Sequence, residues 1–145
     1  DPRVKIETSV KKMLQEEEKY GIKDFKTYKK FGEKVYKIRE NVLANIKKLK
    51  DKNEIIIGYG APAKATTALN FFGVSEEINF IVEDNKLKHN KFIPGVNIPI
   101  KNKSKIKNKN NVLLVLAWNF YDDIKKNNLN LSDNFVNIKE LESSN

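Results

Sequence analysis

The residues from Gly58 to Lys64 have the types and spacing of a turn that could bind phosphate. Gly58 and Gly60 follow a run of three isoleucines, so the backbone can turn tightly after a short buried strand. Pro62 can then start a helix without losing a hydrogen bond. The unpaired N–H groups and the dipole of a first helical turn favour an anion, and Lys64 could add a full positive charge. The stretch predicts a strand, a glycine turn and a helix that binds phosphate.

The spacing Gly58-x-Gly60-x-x-Ala63 also satisfies the fingerprint of dinucleotide-binding turns. The acidic pair Glu83 and Asp84 follows where a second strand should end, and one of these carboxylates could accept hydrogen bonds from a ribose. Both a ligand-binding role and a purely structural role stay open for these residues. A glycine turn also occurs without a ligand, and an acidic pair can simply end a strand.

The most apolar segment of the chain, 112–118, ends at an aromatic side chain, Trp118, and the amide side chain of Asn119 follows it. At the carboxyl end of a strand they could stack on a base and hydrogen-bond a base or a sugar. The indole could equally cap the core.

These side chains need an α/β scaffold, and the pattern predicts a Rossmann-like three-layer sandwich with a mostly parallel sheet, preceded by an N-terminal helical extension. We expect residues 1–50 to be a helical lead-in that packs on the domain and residues 51–145 to be the Rossmann-like domain. Predicted helices cover 4–20, 23–50, 63–72 and 121–126, and Gly21 and Gly73 are expected to cap the first and third of them. Predicted strands cover 54–57, 78–82, 96–98, 112–118 and 134–138. A turn at Pro94-Gly95, a solvated loop over 101–111 and a frayed tail over the last seven residues complete the prediction.

The predicted helix over 23–50 carries an apolar stripe at three- and four-residue spacings. Its members are Phe25, Tyr28, Phe31, Val35, Ile38, Val42, Ile46 and Leu49. This spacing is typical of a packing face, and its aromatic end could instead line a ligand pocket.

The composition excludes several classes of protein. The chain of 145 residues has no cysteine, so it can hold neither disulfides nor thiolate metal sites. It has no apolar run of about 18 residues, which argues against a membrane span, and we expect a cytoplasmic protein. The net charge of +9 is nearly all lysine, and arginine occurs only at Arg3 and Arg39, so nucleic-acid binding is not favoured.

Taken in order, the motifs resemble one protein family. They are Gly58 to Lys64, then Asp84-Asn85 with Lys88, then Pro94-Gly95 with Ile98-Pro99-Ile100, then Ala117-Trp118-Asn119. This series resembles the C-terminal domain of S-adenosylmethionine-dependent sugar C-methyltransferases, and the similarity runs from about Ser9 to the last strand.

The resemblance implies a three-part enzyme, with a zinc-binding N-terminal segment, a central domain that holds the methyl donor S-adenosylmethionine, and this C-terminal domain. It implies that this domain holds a nucleotide-linked sugar, commonly a thymidine diphosphate sugar, against the central domain. The substrate-binding residues that the resemblance implies are Gly58, Tyr59, Gly60, Ala61, Ala63, Lys64, Asp84, Lys88, Pro94, Gly95, Trp118 and Asn119. Ala65 departs from the family, in which a glycine often follows the lysine.

The family's catalytic histidine and acidic pair belong to the central domain, and these 145 residues do not include that domain. His89 lies in a different motif context, and we expect it to be a solvated loop histidine. The chain is therefore expected to be a domain cut from a longer enzyme, or a separately encoded subunit, that does not methylate alone. Two other functions remain open, a nicotinamide-dinucleotide-binding module and a non-catalytic interaction domain that docks through its helical stripe.

Overall fold

The structure is a computed structural model that describes residues 7–52 and 54–143. The chain forms two compact units, an N-terminal unit of Asp1–Lys37 and a C-terminal unit of Ile38–Asn145.

The N-terminal unit consists of helices. Helix α1 spans Thr8–Tyr20 and ends at Gly21, whose φ of 79° allows its N–H to bond the last helical carbonyls. Helix α2 spans Phe25–Asp51, so it begins in this unit and continues into the next. Both predicted helices and the glycine cap are confirmed, although predicted positions 4–6 lie outside the described residues. No described side chain between residues 7 and 37 is buried.

The C-terminal unit is built on a sheet of five strands that all pair in parallel, in the order β3-β2-β1-β4-β5. The strands are β1 Ile56–Tyr59, β2 Ile78–Val82, β3 Ile100–Lys101, β4 Val112–Val115 and β5 Asn134–Asn137. Helix α3, Ala63–Phe72, connects β1 to β2, and helix α4, Tyr121–Asn127, connects β4 to β5. The predicted α/β class and the Rossmann-like sheet are confirmed.

Apolar side chains cover both faces of this sheet. On one face, Val42 and Ile46 of α2 and Leu69 of α3 lie in a buried cluster with side chains of β1, β2 and β4. On the other face, Leu113 packs in a second cluster, against which Ile124 of α4 lies. All four residues of β4 are buried, which confirms that this strand is covered on both faces, although β1 is the middle strand.

The strand predicted over 96–98 is wrong, because the paired strand is β3, two residues further on. Gly95 has a φ of 86° and Asn97 a φ of 55°, and left-handed residues interrupt an extended backbone. The φ of Gly95 is the value that the predicted type II turn requires. Pro99 directly precedes β3, which is an edge strand, so the missing N–H of the proline removes no ladder bond inside the sheet.

The frayed tail is wrong for residues 139–143. Ile138–Glu142 forms a short 3-10 helix in which Leu141 is buried. The buried amide of Asn45 on α2 donates to the carbonyl oxygens of Leu141 at 3.0 Å and Ser143 at 3.1 Å. This anchor lies about 95 residues away along the chain, so local composition does not reveal it. The last two residues of the predicted tail lie outside the described residues.

Within residues 7–52 and 54–143, no helix combines the length and the apolar character needed to cross a membrane. The same described residues contain no cluster of carboxylate and imidazole groups that could hold a metal ion.

Candidate functional site

A cleft of about 340 Å³ opens at the carboxyl ends of β1, β2 and β4. The chain runs from β1 outward through β2 to β3 and then crosses to β4 on the other side of β1. Open parallel sheets bind ligands where the strand order reverses in this way. The cleft is lined by Tyr59, Gly60, Pro62, Glu83, Asp84, Lys88, Ala117, Phe120 and Ile124.

Both glycines of the turn have a packing role. Gly58 lies within β1, and a Cβ there would come within 2.6 Å of Cγ1 of Ile81 and 3.1 Å of Cδ1 of Leu116. Gly60 has a φ of 87°, and a Cβ there would come within 2.9 Å of the Ala117 side chain. The two glycines therefore let neighbouring strands and the turn approach closely, whether or not a ligand binds.

The N–H groups of Gly60 and Ala61 in the turn are already bonded. The N–H of Gly60 donates to the carbonyl of Val82 at 2.8 Å. The N–H of Ala61 donates to Oε2 of Glu83, also at 2.8 Å. Pro62 has no N–H, and α3 begins at the next residue, where the sequence predicts it.

Glu83 is held in the turn from several sides. Its Oε1 accepts the N–H of Asn85 at 3.1 Å, and Nζ of Lys88 lies 3.4 Å from its Oε2. Lys88 also donates to the Ala61 carbonyl at 2.9 Å. Burial alone raises the pKa of Glu83, but the bonds from Asn85 and Ala61, together with Lys88, outweigh burial and lower that pKa below its ordinary value.

A second cluster of charged and polar side chains lies where β1 and β2 end, around Asp84. The Tyr59 hydroxyl donates to Oδ2 of Asp84 at 2.7 Å, and Nζ of Lys103 lies 2.7 Å from Oδ1 of the same carboxylate. Lys103 also donates to the side-chain oxygen of buried Asn128 at 3.1 Å. These contacts tie the ends of β1 and β2 to the 3-10 turn Lys103–Lys105.

The contacts shift the pKa of three groups. Burial and the bond to Asp84 raise the pKa of Tyr59. Burial acts to raise the pKa of Asp84, but the bonds from Lys103 and Tyr59 outweigh it and lower that pKa. Burial acts to lower the pKa of Lys103, and the bonds to Asp84 and Tyr59 reverse its effect, so that pKa is raised.

The structure places Lys64, Trp118 and Asn119 beside the cleft lining and not within it. Nζ of Lys64 lies 4.0 Å from the centre of the Trp118 ring, a cation–π contact. The half-buried Trp118 packs against the core, and Asn119 is exposed on the short 3-10 helix after β4. The ammonium of Lys64 therefore lies over the indole and does not line the cleft.

Pro94 and Gly95 lie at the opposite end of α3 from the cleft. The side-chain amide of Asn70, near the end of that helix, donates to the Pro94 carbonyl at 2.9 Å. A Cβ on Gly95 would collide with the same Asn70 side chain. The structure thus brings Tyr59, Gly60, Ala61, Asp84 and Lys88 together and leaves this turn apart from them.

Several residues at the cleft were not among the expected site residues. Lys103 and Asn128 are not in the lining but contact the lining residues Asp84 and Tyr59, respectively. No local signal distinguishes Lys103 from the other lysines of its lysine- and asparagine-rich segment. Glu83 was one of the two carboxylates that the sequence offered to a ribose, and in the structure it bonds the Ala61 N–H instead. His89 is not the solvated loop histidine expected, because its half-buried ring donates from Nε2 to the Glu83 carbonyl at 2.7 Å.

The sequence of the chain is similar to that of a known C-methyltransferase. The C-methyltransferase NovU of Streptomyces niveus is 29% identical over 131 residues, which are 89% of this chain and 31% of that protein. The chain thus spans about a third of the length of this relative.

The family described as the C-methyltransferase C-terminal domain matches residues 2–137. The match includes both the N-terminal helices and all five strands of the sheet. The chain therefore belongs to the family of C-methyltransferase C-terminal domains.

Proposed function

We propose that this domain binds the substrate of a longer C-methyltransferase, a nucleotide-linked sugar, in the cleft at the carboxyl ends of β1, β2 and β4. One observation carries the proposal: the cleft lies where the strand order reverses, and a carboxylate at the end of β2 faces it. The family match supports a role in C-methylation.

Asp84 is the residue best suited to contact the substrate. Its side chain is 59% exposed, and each of its oxygens accepts one bond from the protein, from Lys103 or from Tyr59. An ionised carboxylate can accept about four hydrogen bonds, so acceptor capacity remains on the cleft side. Hydroxyl groups of a ribose or a sugar can use it.

The methyl donor is proposed to bind to another part of the longer enzyme. S-adenosylmethionine carries its methyl group on a sulfonium cation, and this cleft does not fit it well. Glu83 and Asp84 are each paired with a lysine, so neither is an unpaired carboxylate facing the sulfonium.

The role of this domain in catalysis is positioning. C-methylation joins two bound molecules, and a large part of its rate comes from holding the reacting atoms at near-attack distance. A domain that grips the remote part of the substrate contributes to that geometry without touching the reacting carbon.

A second candidate is a protein-interaction role for the N-terminal unit. Phe25, Tyr28 and Phe31 are 80%, 56% and 63% exposed in succession along α2. Apolar side chains at this spacing are usually covered in a soluble protein. A molecular mass that rises with concentration in light scattering supports this role, and a constant monomer mass contradicts self-association through this face.

The proposed function is tested by thermal unfolding of the chain with one ligand at a time. The ligands are thymidine diphosphate glucose, uridine diphosphate glucose, NADH and S-adenosylmethionine. A ligand at about a hundredfold its dissociation constant adds roughly 2.7 kcal/mol, which raises the melting temperature by several degrees. We expect a nucleotide sugar to raise it and S-adenosylmethionine to leave it unchanged.

A pair of variants locates the binding. Asp84→Asn should reduce the shift caused by the nucleotide sugar. Asp133→Asn is the matched control, since Asp133 also pairs with a lysine, Lys109 at 3.0 Å, on an exposed surface outside the cleft lining. If the nucleotide sugar raises the melting temperature of both variants equally, the ligand binds elsewhere. If NADH alone raises the melting temperature, a dinucleotide-binding module is favoured.

A further inference from the structure

We propose that Glu83 closes the glycine turn to phosphate, so that the cleft receives an uncharged, hydroxyl-bearing part of its ligand. The inference rests on the proposed function and specifies which part of the ligand enters the cleft. It makes Glu83 a specificity-determining residue and reverses the expectation, drawn from the sequence, that the turn grips a phosphate.

The N–H groups of the glycine turn already donate to protein acceptors. A phosphate-binding turn works because its N–H groups are unpaired and point at the ligand. Here the Gly60 N–H is bonded to Val82, the Ala61 N–H is bonded to Glu83, and Pro62 has none. Between Gly60 and Pro62 no donor remains for a phosphate oxygen, and the first N–H groups without a helical partner are those of Ala63 and Lys64 at the start of α3.

The negative charge of Glu83 lies where a phosphate oxygen would have to bind. Oε2 of Glu83 lies 2.8 Å from the Ala61 nitrogen, the distance at which a bound phosphate oxygen would lie. The side chain of Glu83 is only 13% exposed, so its charge is less screened than that of a surface carboxylate. A phosphate beside it would meet a like charge at short range.

The lysines near the turn each have a partner within the protein. Lys88 contacts both Glu83 and the Ala61 carbonyl, Lys103 is paired with Asp84, and the Lys64 ammonium lies over Trp118. The two carboxylates and their two lysine partners balance in charge. A cleft of this kind attracts neither an anion nor a cation, but its acceptors suit the hydroxyls of a ribose or a sugar.

The test is the binding of inorganic pyrophosphate to the isolated chain, followed by the amide resonances of Gly60 and Ala61 in two-dimensional NMR. In the unmodified chain we expect no saturable shift of these resonances at millimolar pyrophosphate. Glu83→Ala frees the Ala61 N–H, and we expect the resonance to shift and saturate, with binding tightened about fivefold or more by the loss of one like charge.

Two further variants serve as controls. Glu83→Gln keeps an acceptor for the Ala61 N–H and removes only the charge. We expect it to gain pyrophosphate binding through the loss of the like charge, and this gain decides the question if Glu83→Ala does not fold. Glu76→Gln makes the same change of charge at an exposed residue outside the cleft lining and should behave like the unmodified chain. A gain that Glu76→Gln shares equally would reflect overall charge and overturn the proposal.

The proposal is also wrong if pyrophosphate binds the unmodified chain at the turn as tightly as it binds the variants. It is equally wrong if no Glu83 variant that folds gains pyrophosphate binding. Failure here is distinguishable from failure of the proposed function, because nucleotide-sugar binding is measured separately on the unmodified chain. A chain that binds the sugar nucleotide and pyrophosphate at the turn keeps its proposed function and loses only this inference.

Discussion

Asp84 connects the stability of the cleft to its chemistry. The residue accepts bonds from Tyr59 and Lys103 while more than half of its side chain stays exposed to the cleft and solvent. The same bonds that orient the carboxylate lower its pKa, so it stays ionised and able to accept hydroxyl hydrogen bonds in mildly acidic solution.

The lowered pKa predicts how stability depends on pH. Asp84 and Glu83 have pKa values below their ordinary 3.8 and 4.5, so on acidification the unfolded chain takes up protons first. The stability they contribute is present above those ordinary values and is lost as pH falls through the lower values of the folded state. We expect the melting temperature to fall over this range, measured by circular dichroism at a series of pH values.

Asp84→Asn removes one of these two groups. The variant should melt at a lower temperature than the unmodified chain at neutral pH and lose less of its melting temperature on acidification. Asp133→Asn again serves as the control at an exposed ion pair. Parallel pH profiles for the unmodified chain and Asp84→Asn would show that the bonds to Asp84 do not hold in solution.

Strand β1 depends on a residue without a side chain. Gly58 lies between Ile81 of β2 and Leu116 after β4, and these two side chains occupy the space that a Cβ at Gly58 would need. A strand with neighbours on both sides and buried on both faces has no free space for an extra methyl group.

Gly58→Ala should therefore destabilise the fold. Overpacking a buried site costs about 1–3 kcal/mol, which can be measured as a lower urea midpoint. Gly32→Ala is the matched control, because a Cβ at Gly32 within α2 meets no atom within 4 Å. Alanine in a helix interior is about 0.8–1.0 kcal/mol better than glycine, so the control should be stabilised. A change of the same sign in both variants would contradict the packing role of Gly58.

The whole chain contains two units that differ in how much apolar surface each one buries. The C-terminal unit has a core on both faces of its sheet. Residues 7–37 of the N-terminal unit have no buried side chain, and α1 leaves Val10, Met13 and Leu14 exposed. Helices as short as the 13 residues of α1 are marginal in water without tertiary packing.

Hydrogen exchange should divide the chain accordingly. We expect the amides of α1 to exchange at least about tenfold faster than those of β1 and β4, because local opening is easiest where little apolar surface is buried. Mass spectrometry of the peptides, obtained by digesting the chain after exchange, measures the exchange of each segment. Equal protection of α1 and β1 would mean that something covers the helices in solution, and repeating the exchange at lower concentration would identify self-association.

Much of the fold could be predicted from the sequence because its signals are local. The isoleucine run before Gly58, the apolar run before Trp118 and the glycine caps Gly21 and Gly73 marked strands and helix ends within a few residues. Apolar periodicity and the need for left-handed backbone at a helix end act over a few residues, so they remain visible in a sequence. The resemblance to C-methyltransferase C-terminal domains was predicted in the same way and is confirmed by the family match.

The sequence by itself thus determined the α/β class, most elements and the position of the glycine turn. Only the tertiary structure decided which groups occupy that turn, since Glu83, after the next strand, bonds the Ala61 N–H and Lys64 lies over Trp118. It also decided that Lys103 joins the cleft and that Leu141 is anchored by Asn45. These are single hydrogen bonds and ion pairs between residues far apart in the chain, and no local pattern encodes which distant partner satisfies a polar group.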